Sequence, residues 1–284
     1  LNAHLIEPTI TTEDFLKFRE FFYRKTGIQF EDSKRYFVDK RLVERIEATA
    51  SGSFRSYFTM LRFQATGEEL QALTNIMTVN ETYFFREEYQ FKCLVNSMLN
   101  EVVKTKKPGS TLRIWSIPSS SGEEPYSIAL YLTEYWPDIA HWDVELISSD
   151  IDTSILKKAR AGKFSPRSVQ HLPANLLFKH FKRLPDNEYQ ISDDFREAVE
   201  FTRVNLSEAS ETRHYRGFDV IFCRNLLIYF DDLSRQKAAE VFYDALNPGG
   251  FICLGHAESM SRITSLFRVR KFPEAIVYQK PESR

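Results

Sequence analysis

A chain of 284 residues that is 43% hydrophobic, 14% aromatic and 27% charged has the profile of a folded globular protein, which excludes a disordered or fibrous one. Its 38 Lys+Arg and 39 Asp+Glu leave a formal net charge of -1, so no global basic field favours a nucleic-acid backbone. No apolar run approaches the roughly 18–20 residues needed to span a bilayer.

The first eighty residues carry helical periodicity only. Thr11 and Thr12 precede Phe15, Phe18 and Phe22 on one face, and Gly27 stands where a C-terminal glycine cap belongs. Asp32 or Ser33 is expected to cap a second helix with the stripe Phe37, Val38, Leu42, Val43 and Ile46, ending near Ser51 and Gly52. Ser53 is expected to cap a third helix, and Thr66 with Glu69 reads as a capping box for a fourth. Arg41 and Arg45 lie one turn apart on the second helix, with Lys34 on about the same face and Arg35 and Lys40 nearby. Spacing alone reads this run as solvated helix surface, diluted by Asp39 and Glu44.

After the polar, Pro/Gly-containing segment Lys104 to Ser110, short apolar runs alternate with helical stretches, the pattern of parallel βαβ units. The predicted strands are Leu112 to Trp115, Val144 to Ser148, Phe201 to Val204, Phe218 to Cys223 and Phe251 to Leu254. Two late runs, Phe267 to Val269 and Ile276 to Tyr278, predict a closing β pair. Between the second and third parallel strands, Phe181 to Leu184, the turn Pro185-Asp186-Asn187 and Tyr189 to Ile191 predict a hairpin inserted at about 178–200. Leu246-Asn247-Pro248-Gly249-Gly250 reads as a tight turn into the fifth strand.

Three dispersed cysteines, two of them (Cys223 and Cys253) inside strand-like runs, argue against a disulfide framework and for a reducing cytosol. The six histidines, His4, His141, His171, His180, His214 and His256, form no HExxH pattern, and no CxxC pair exists, so no metal site is expected. The chain begins at Leu1 without a charged n-region and an apolar h-region, so a secreted precursor is not expected.

Chemistry concentrates at Leu112 to Ser127, where a strand runs into a Ser/Gly loop and Pro125 follows in the first turn of a helix. The loop lacks GxGxxG, and Glu123 and Glu124 at the helix start would repel a pyrophosphate, so a partly cationic ligand fits better. Asp150, after the second strand, can accept hydrogen bonds from ribose hydroxyls, although Asp150 or Asp152 could equally serve as a helix cap. Asn205 and Arg224-Asn225 follow the third and fourth strands and fall on the same carboxyl edge.

Four blocks carry a resemblance: Thr78 to Glu87 (TVNETYFFRE), Ser120 to Ser127 (SSGEEPYS), Ser149 to Asp152 (SDID) and Ile221 to Phe230 (IFCRNLLIYF). In this order they resemble the CheR-type chemotaxis receptor methyltransferases, over nearly the whole chain. The resemblance implies an α/β fold: a Rossmann-like class I methyltransferase domain with a small antiparallel β insert, preceded by a small all-α domain. It implies a helical receptor-docking domain at 1–78, a methyltransferase domain at 79–284 and a linker at 79–90. The implied reaction transfers a methyl group from S-adenosylmethionine to glutamate side chains on the cytoplasmic helices of chemoreceptors, giving methyl esters and S-adenosylhomocysteine. Asn80, Thr82, Arg86, Glu124, Asp150, Asn205, Leu206, Arg224 and Asn225 are implied to contact the cofactor, Glu124 near its ammonium and Arg86 near its carboxylate. Arg86 and Tyr229 are implied to lie near the reacting methyl group. In this light Lys34, Arg41 and Arg45 become the expected docking patch for an acidic receptor region.

Two departures stand out: Pro118 replaces a small residue in the first loop, and the hairpin loop Leu184 to Glu188 lacks the glycines of members that dock on a receptor's C-terminal pentapeptide. Independence from that tether is therefore expected. Other methyl acceptors and a non-catalytic nucleoside-binding signalling module are the alternatives, although Arg224-Asn225-Leu226-Leu227 stands where a base or amide N-methyltransferase would carry Asn/Asp-Pro-Pro-aromatic. His256 and Glu258 also match a family motif, without an assignable role.

Overall fold

The computed structural model describes residues 8–282, so His4 lies outside it. The chain divides between Val79 and Asn80 into two units. The first is helical: α1 (Thr12–Thr26), α2 (Arg35–Ala48), α3 (Phe54–Phe63) and α4 (Glu68–Met77). In α1 a reciprocal capping box joins Thr11 and Asp14, and Gly27 ends the helix in the left-handed region. Phe15, Phe18, Phe22, Val38, Leu42, Ile46, Tyr57 and Leu73 fill its core. A 3-10 turn, Asp32–Lys34, leads into α2, which stops at Ala48, before the expected Ser51 and Gly52.

The expected capping box at α4 does not form. Gly67 is the N-cap, and Glu69 is turned into the core instead. There its carboxylate accepts both Arg45 guanidinium bonds, each at 2.8 Å, and the Tyr57 hydroxyl, also at 2.8 Å. An interior cation claims a carboxylate more strongly than a solvated backbone N–H can.

The second unit is built on β1 (Thr111–Ser116), β2 (Asp143–Asp150), β3 (Lys163–Phe164), β4 (Phe181–Arg183), β5 (Tyr189–Ile191), β6 (Val199–Arg203), β7 (Phe218–Cys223), β8 (Leu246–Leu254), β9 (Arg268–Lys271) and β10 (Ile276–Gln279). Seven strands form one sheet in the order β6-β2-β1-β7-β8-β10-β9. β6, β2, β1, β7 and β8 are parallel, and β10 is antiparallel to both β8 and β9. The order reverses between β1 and β7, which makes the carboxyl ends of those strands the switch point where open α/β sheets bind ligands. All six residues of β7 are buried, and the Trp115 ring stacks on Phe218 and meets Phe242 edge to face.

The small sheet has three strands, β3-β5-β4, and begins at Lys163, upstream of the expected 178–200. Two residues of β3 are too few to show alternation, which hides that strand from a pattern reading. Residues 246–250 are not a separate turn but the bulged start of β8, with an irregular register opposite Phe218 and Val220. Cys93, Cys223 and Cys253 are free and buried. Among the described residues, no helix is long and apolar enough to cross a membrane, and no group of three His, Cys, Asp or Glu could hold a metal ion.

Candidate functional site at the switch point

β1 and β7 end in Ser116 and Cys223, and the groups that follow them meet. The Ile117–Pro118 peptide is cis. The loop after β1 is sewn to both neighbouring strands: Ile117 N donates to Phe222 O at 2.8 Å and Ser119 N to Ser149 O at 2.7 Å. Gly122 then turns at φ +100 into the helix Glu123–Tyr135, and a β-carbon there would sit 2.9 Å from the Tyr126 ring.

Asp150 and Asp152 take different tasks. Asp152 caps the helix Thr153–Ala161 by accepting from Ser154 N and Ile155 N. Asp150 points back to the loop, where its carboxylate accepts from Ser120 N at 2.8 Å and Asp152 N at 3.0 Å. Ile151 N also bonds it. A carboxylate offers about four acceptor positions, so capacity for a ligand hydroxyl remains. Burial, and secondarily the Asp152 charge, outweigh those N–H groups and raise the Asp150 carboxyl to about 6. Beside it, Ser119 Oγ and Ser120 Oγ are buried without a protein partner. A strained loop, an acceptor-rich carboxylate and two unused hydroxyls fit a polyhydroxylated ribosyl ligand.

Glu124, expected near the ammonium group of the cofactor, has two protein partners. Its Oε1 accepts from Ser116 Oγ at 2.9 Å and its Oε2 from Arg224 Nε at 2.7 Å. Burial holds the Glu124 carboxyl above its usual range, although Arg224 pulls the other way. Arg224 also reaches the segment that opens the unit, donating to Arg86 O at 2.8 Å and Glu87 O at 3.4 Å, and its guanidinium lies 4.7 Å from the Phe91 ring centre. Arg224 is thus a tie between loop, strand and linker, with 2% of its side chain exposed.

That opening segment is pinned by Phe84 N to Ser168 O at 2.9 Å and Phe85 N to Ser127 Oγ at 3.1 Å. Asn80 Nδ2 donates to Asp152 Oδ2 at 3.1 Å, while Thr82 stays half-buried. Arg86 is half-buried, donates to Glu81 O at 2.9 Å and sits 5.9 Å from the Tyr83 ring centre. Tyr229 ends a 3-10 turn after β7 and is 39% exposed. Burial and then the Glu81 charge raise its phenol, with Arg86 opposing, so Tyr229 shares its surroundings with both. After β6, Asn205 Oδ1 accepts from Ser207 N at 3.0 Å, and Leu206 is buried.

The motif reading left Glu258 without a task. Its Oε2 accepts from Asn225 N at 2.9 Å and Gly255 N at 2.8 Å, joining the loops after β7 and β8. Asn225 is left-handed at φ 60, and a β-carbon on Gly255 would lie 2.7 Å from Asn225 Oδ1. His256 meets Glu87 at 3.1 Å. Burial of Glu87 is outweighed by His256 and Arg224, which hold its carboxyl below the usual value. Among the described residues, four of the six non-glycine residues with positive φ, Phe85, Glu87, Ser120 and Asn225, lie here; the others are Ala50 and Asn187. Such concentration of backbone strain marks functional sites.

The docking residues lie in the helical unit. Lys34 is exposed, but Arg41 Nε donates to Ile76 O at 2.5 Å and its guanidinium lies 3.5 Å from the Phe37 ring centre. Arg45 is held by Glu69. Two of the three expected docking cations therefore have partners inside their own unit.

Residues 80–276 match the family described as CheR methyltransferase, SAM binding domain, and residues 13–78 match CheR methyltransferase, all-alpha domain. The chain is 58% identical over 275 residues to chemotaxis protein methyltransferase 2 of Vibrio cholerae serotype O1, covering 97% of this chain and 95% of that one. It is 37% identical to chemotaxis protein methyltransferase 2 of Pseudomonas aeruginosa, covering 91% and 90%. With the chemotaxis protein methyltransferase of Escherichia coli it shares 32% identity, covering 90% and 87%.

Proposed function

Since the chain belongs to the CheR methyltransferase family, we propose that it moves a methyl group from S-adenosylmethionine to glutamate side chains of chemoreceptor cytoplasmic helices, leaving glutamate methyl esters. When bound, the cofactor supplies an electrophilic methyl group on a sulfonium. The observation that carries this reading is the assembly of Asp150, the Glu124–Arg224 pair, Arg86 and Tyr229 around one switch point.

A glutamate acceptor is ionised at neutral pH, since its reference pKa is about 4.3, and needs no proton removed. Tyr229, with its phenol raised above the ordinary 10.0, keeps its proton and acts as a hydrogen-bond donor that orients the acceptor oxygen. Arg86 offsets the incoming negative charge and the carboxylate of the cofactor. Asp150 and the hydroxyls of Ser119 and Ser120 hold the ribose. Arg224 keeps Glu124 and the Arg86 backbone in register, and the transfer then depends on alignment and exclusion of water.

Receptor docking is carried by the exposed cations Lys34, in the 3-10 turn before α2, and Lys40, on α2, because engaging Arg45 would strip Glu69 of its partner. The hairpin loop closes tightly, Leu184 N donating to Glu188 O at 2.7 Å, and the enzyme works without a pentapeptide tether. Receptor C-terminal pentapeptide should show no micromolar binding in calorimetry; saturable binding at that level would refute tether independence. The proposed function is tested by radiolabelled methyl transfer to receptor-containing membranes. Label released as methanol by mild alkali is expected, and alkali-stable label would contradict ester formation.

A further inference from the structure

A cavity of about 480 Å³ opens on the carboxyl side of β8, between the helix Tyr89–Cys93 and the connection from β9 to β10. Gln90 lines it and is 2% exposed. Its amide orientation is set by Nε2, which donates to Leu254 O at 2.6 Å; Oε1 is left buried without a partner. Glu258 lines the same cavity, and its Oε1 is likewise buried and unpartnered, while Oε2 is spent on Asn225 N and Gly255 N. Glu274, whose Oε2 accepts from Ser97 Oγ at 2.9 Å, adds a second carboxylate, and Tyr89, Phe272 and Tyr278 are the aromatic residues of the lining. His256 is the one basic side chain of the lining and is paired with Glu87.

An unpartnered Gln90 amide oxygen, the half-unpartnered Glu258 carboxylate, a second carboxylate on Glu274 and three aromatic residues call for a ligand that donates hydrogen bonds and carries positive charge. An anion would meet carboxylates, and an apolar group would leave both acceptors unpaired. We propose that this cavity is a binding site for an organic cation, a guanidinium or alkylammonium group. Such a group comes either from a basic side chain of the acceptor protein or from a free amine. Cation binding itself stands apart from the methyl-transfer reading; assigning the occupant to the acceptor protein rests on it.

The test uses the full chain and n-butylguanidinium, with the isosteric but uncharged n-butylurea as control, in calorimetry. Saturable binding of the cation, with the urea weaker by about tenfold or more, is expected. Glu274→Gln should weaken cation binding by about fivefold or more, and Gln90→Met should do so while circular dichroism remains native. Should Gln90→Met fail to fold, Glu274→Gln alone decides. If n-butylguanidinium raises KM for receptor without changing kcat, the natural occupant is an acceptor side chain; binding with KM unchanged assigns a free amine. Absence of saturable binding, equal binding of the urea, or undiminished affinity in Glu274→Gln would overturn the proposal.

Discussion

At the scale of single residues, the site is governed by carboxylates in unequal surroundings. In the ligand-free chain Asp150 titrates at about 6 rather than 3.8, so the native state holds a proton that the unfolded chain has released between those values. Its contribution to stability is therefore present below 3.8 and declines as pH rises through about 6. Ribose hydroxyls favour the ionised form, and binding runs the other way. Affinity for S-adenosylhomocysteine should be full above about 6 and fall below it, toward about tenfold per pH unit. Calorimetry across that range checks this, and a flat profile would contradict it. Arg86→Ala should cost about 2–5 kcal/mol in methyl transfer, with the melting temperature nearly unchanged because the Arg86 side chain is half-buried and its guanidinium donates to Glu81 O. Asp150 and Asp152 could not be told apart in the sequence, since both follow a strand and precede a helix; only the direction of each carboxylate separates cap from ligand acceptor. Glu258 escaped for a related reason, because its partners are backbone N–H groups that carry no sequence signature.

At the scale of elements, periodic helices and long buried strands were legible, and short or bulged segments were not. α1 follows its phenylalanine stripe and its terminal glycine closely. The two-residue β3 and the Pro-Gly-Gly start of β8 were missed or misread because neither shows alternation. Glu69 teaches a sharper lesson: a capping-box spacing was overridden by a buried Arg45–Glu69–Tyr57 network. Arg45→Met should destabilise the helical unit by about 3–5 kcal/mol in urea unfolding, since it leaves Glu69 charged and buried. An effect below about 1 kcal/mol would place the pair with ordinary surface ion pairs. Loss of receptor methylation in an Arg45 variant would thus report folding, whereas reversal of Lys34 and Lys40 tests docking itself. In the first loop, Gly122→Ala should cost about 1–3 kcal/mol, because it combines positive φ with a close approach to Tyr126 and Ala159. Cofactor affinity should fall with it, and unchanged calorimetry would show that the loop adjusts freely.

At the scale of the whole molecule, the net charge of -1 sums unlike parts. Exposed Lys34 and Lys40 lie just before and on α2, while the buried carboxylates Asp150 and Glu124 lie at the switch point. In the proposed function the helical unit serves recognition and the seven-stranded unit chemistry. The most direct test of the central claim is peptide mapping by tandem mass spectrometry of chemoreceptor incubated with S-adenosylmethionine and this protein. Methyl groups confined to glutamate side chains of the cytoplasmic helices, and lost in Arg86→Ala, are the predicted result. Methylation on nitrogen, or none on any chemoreceptor while S-adenosylhomocysteine still binds, would contradict it.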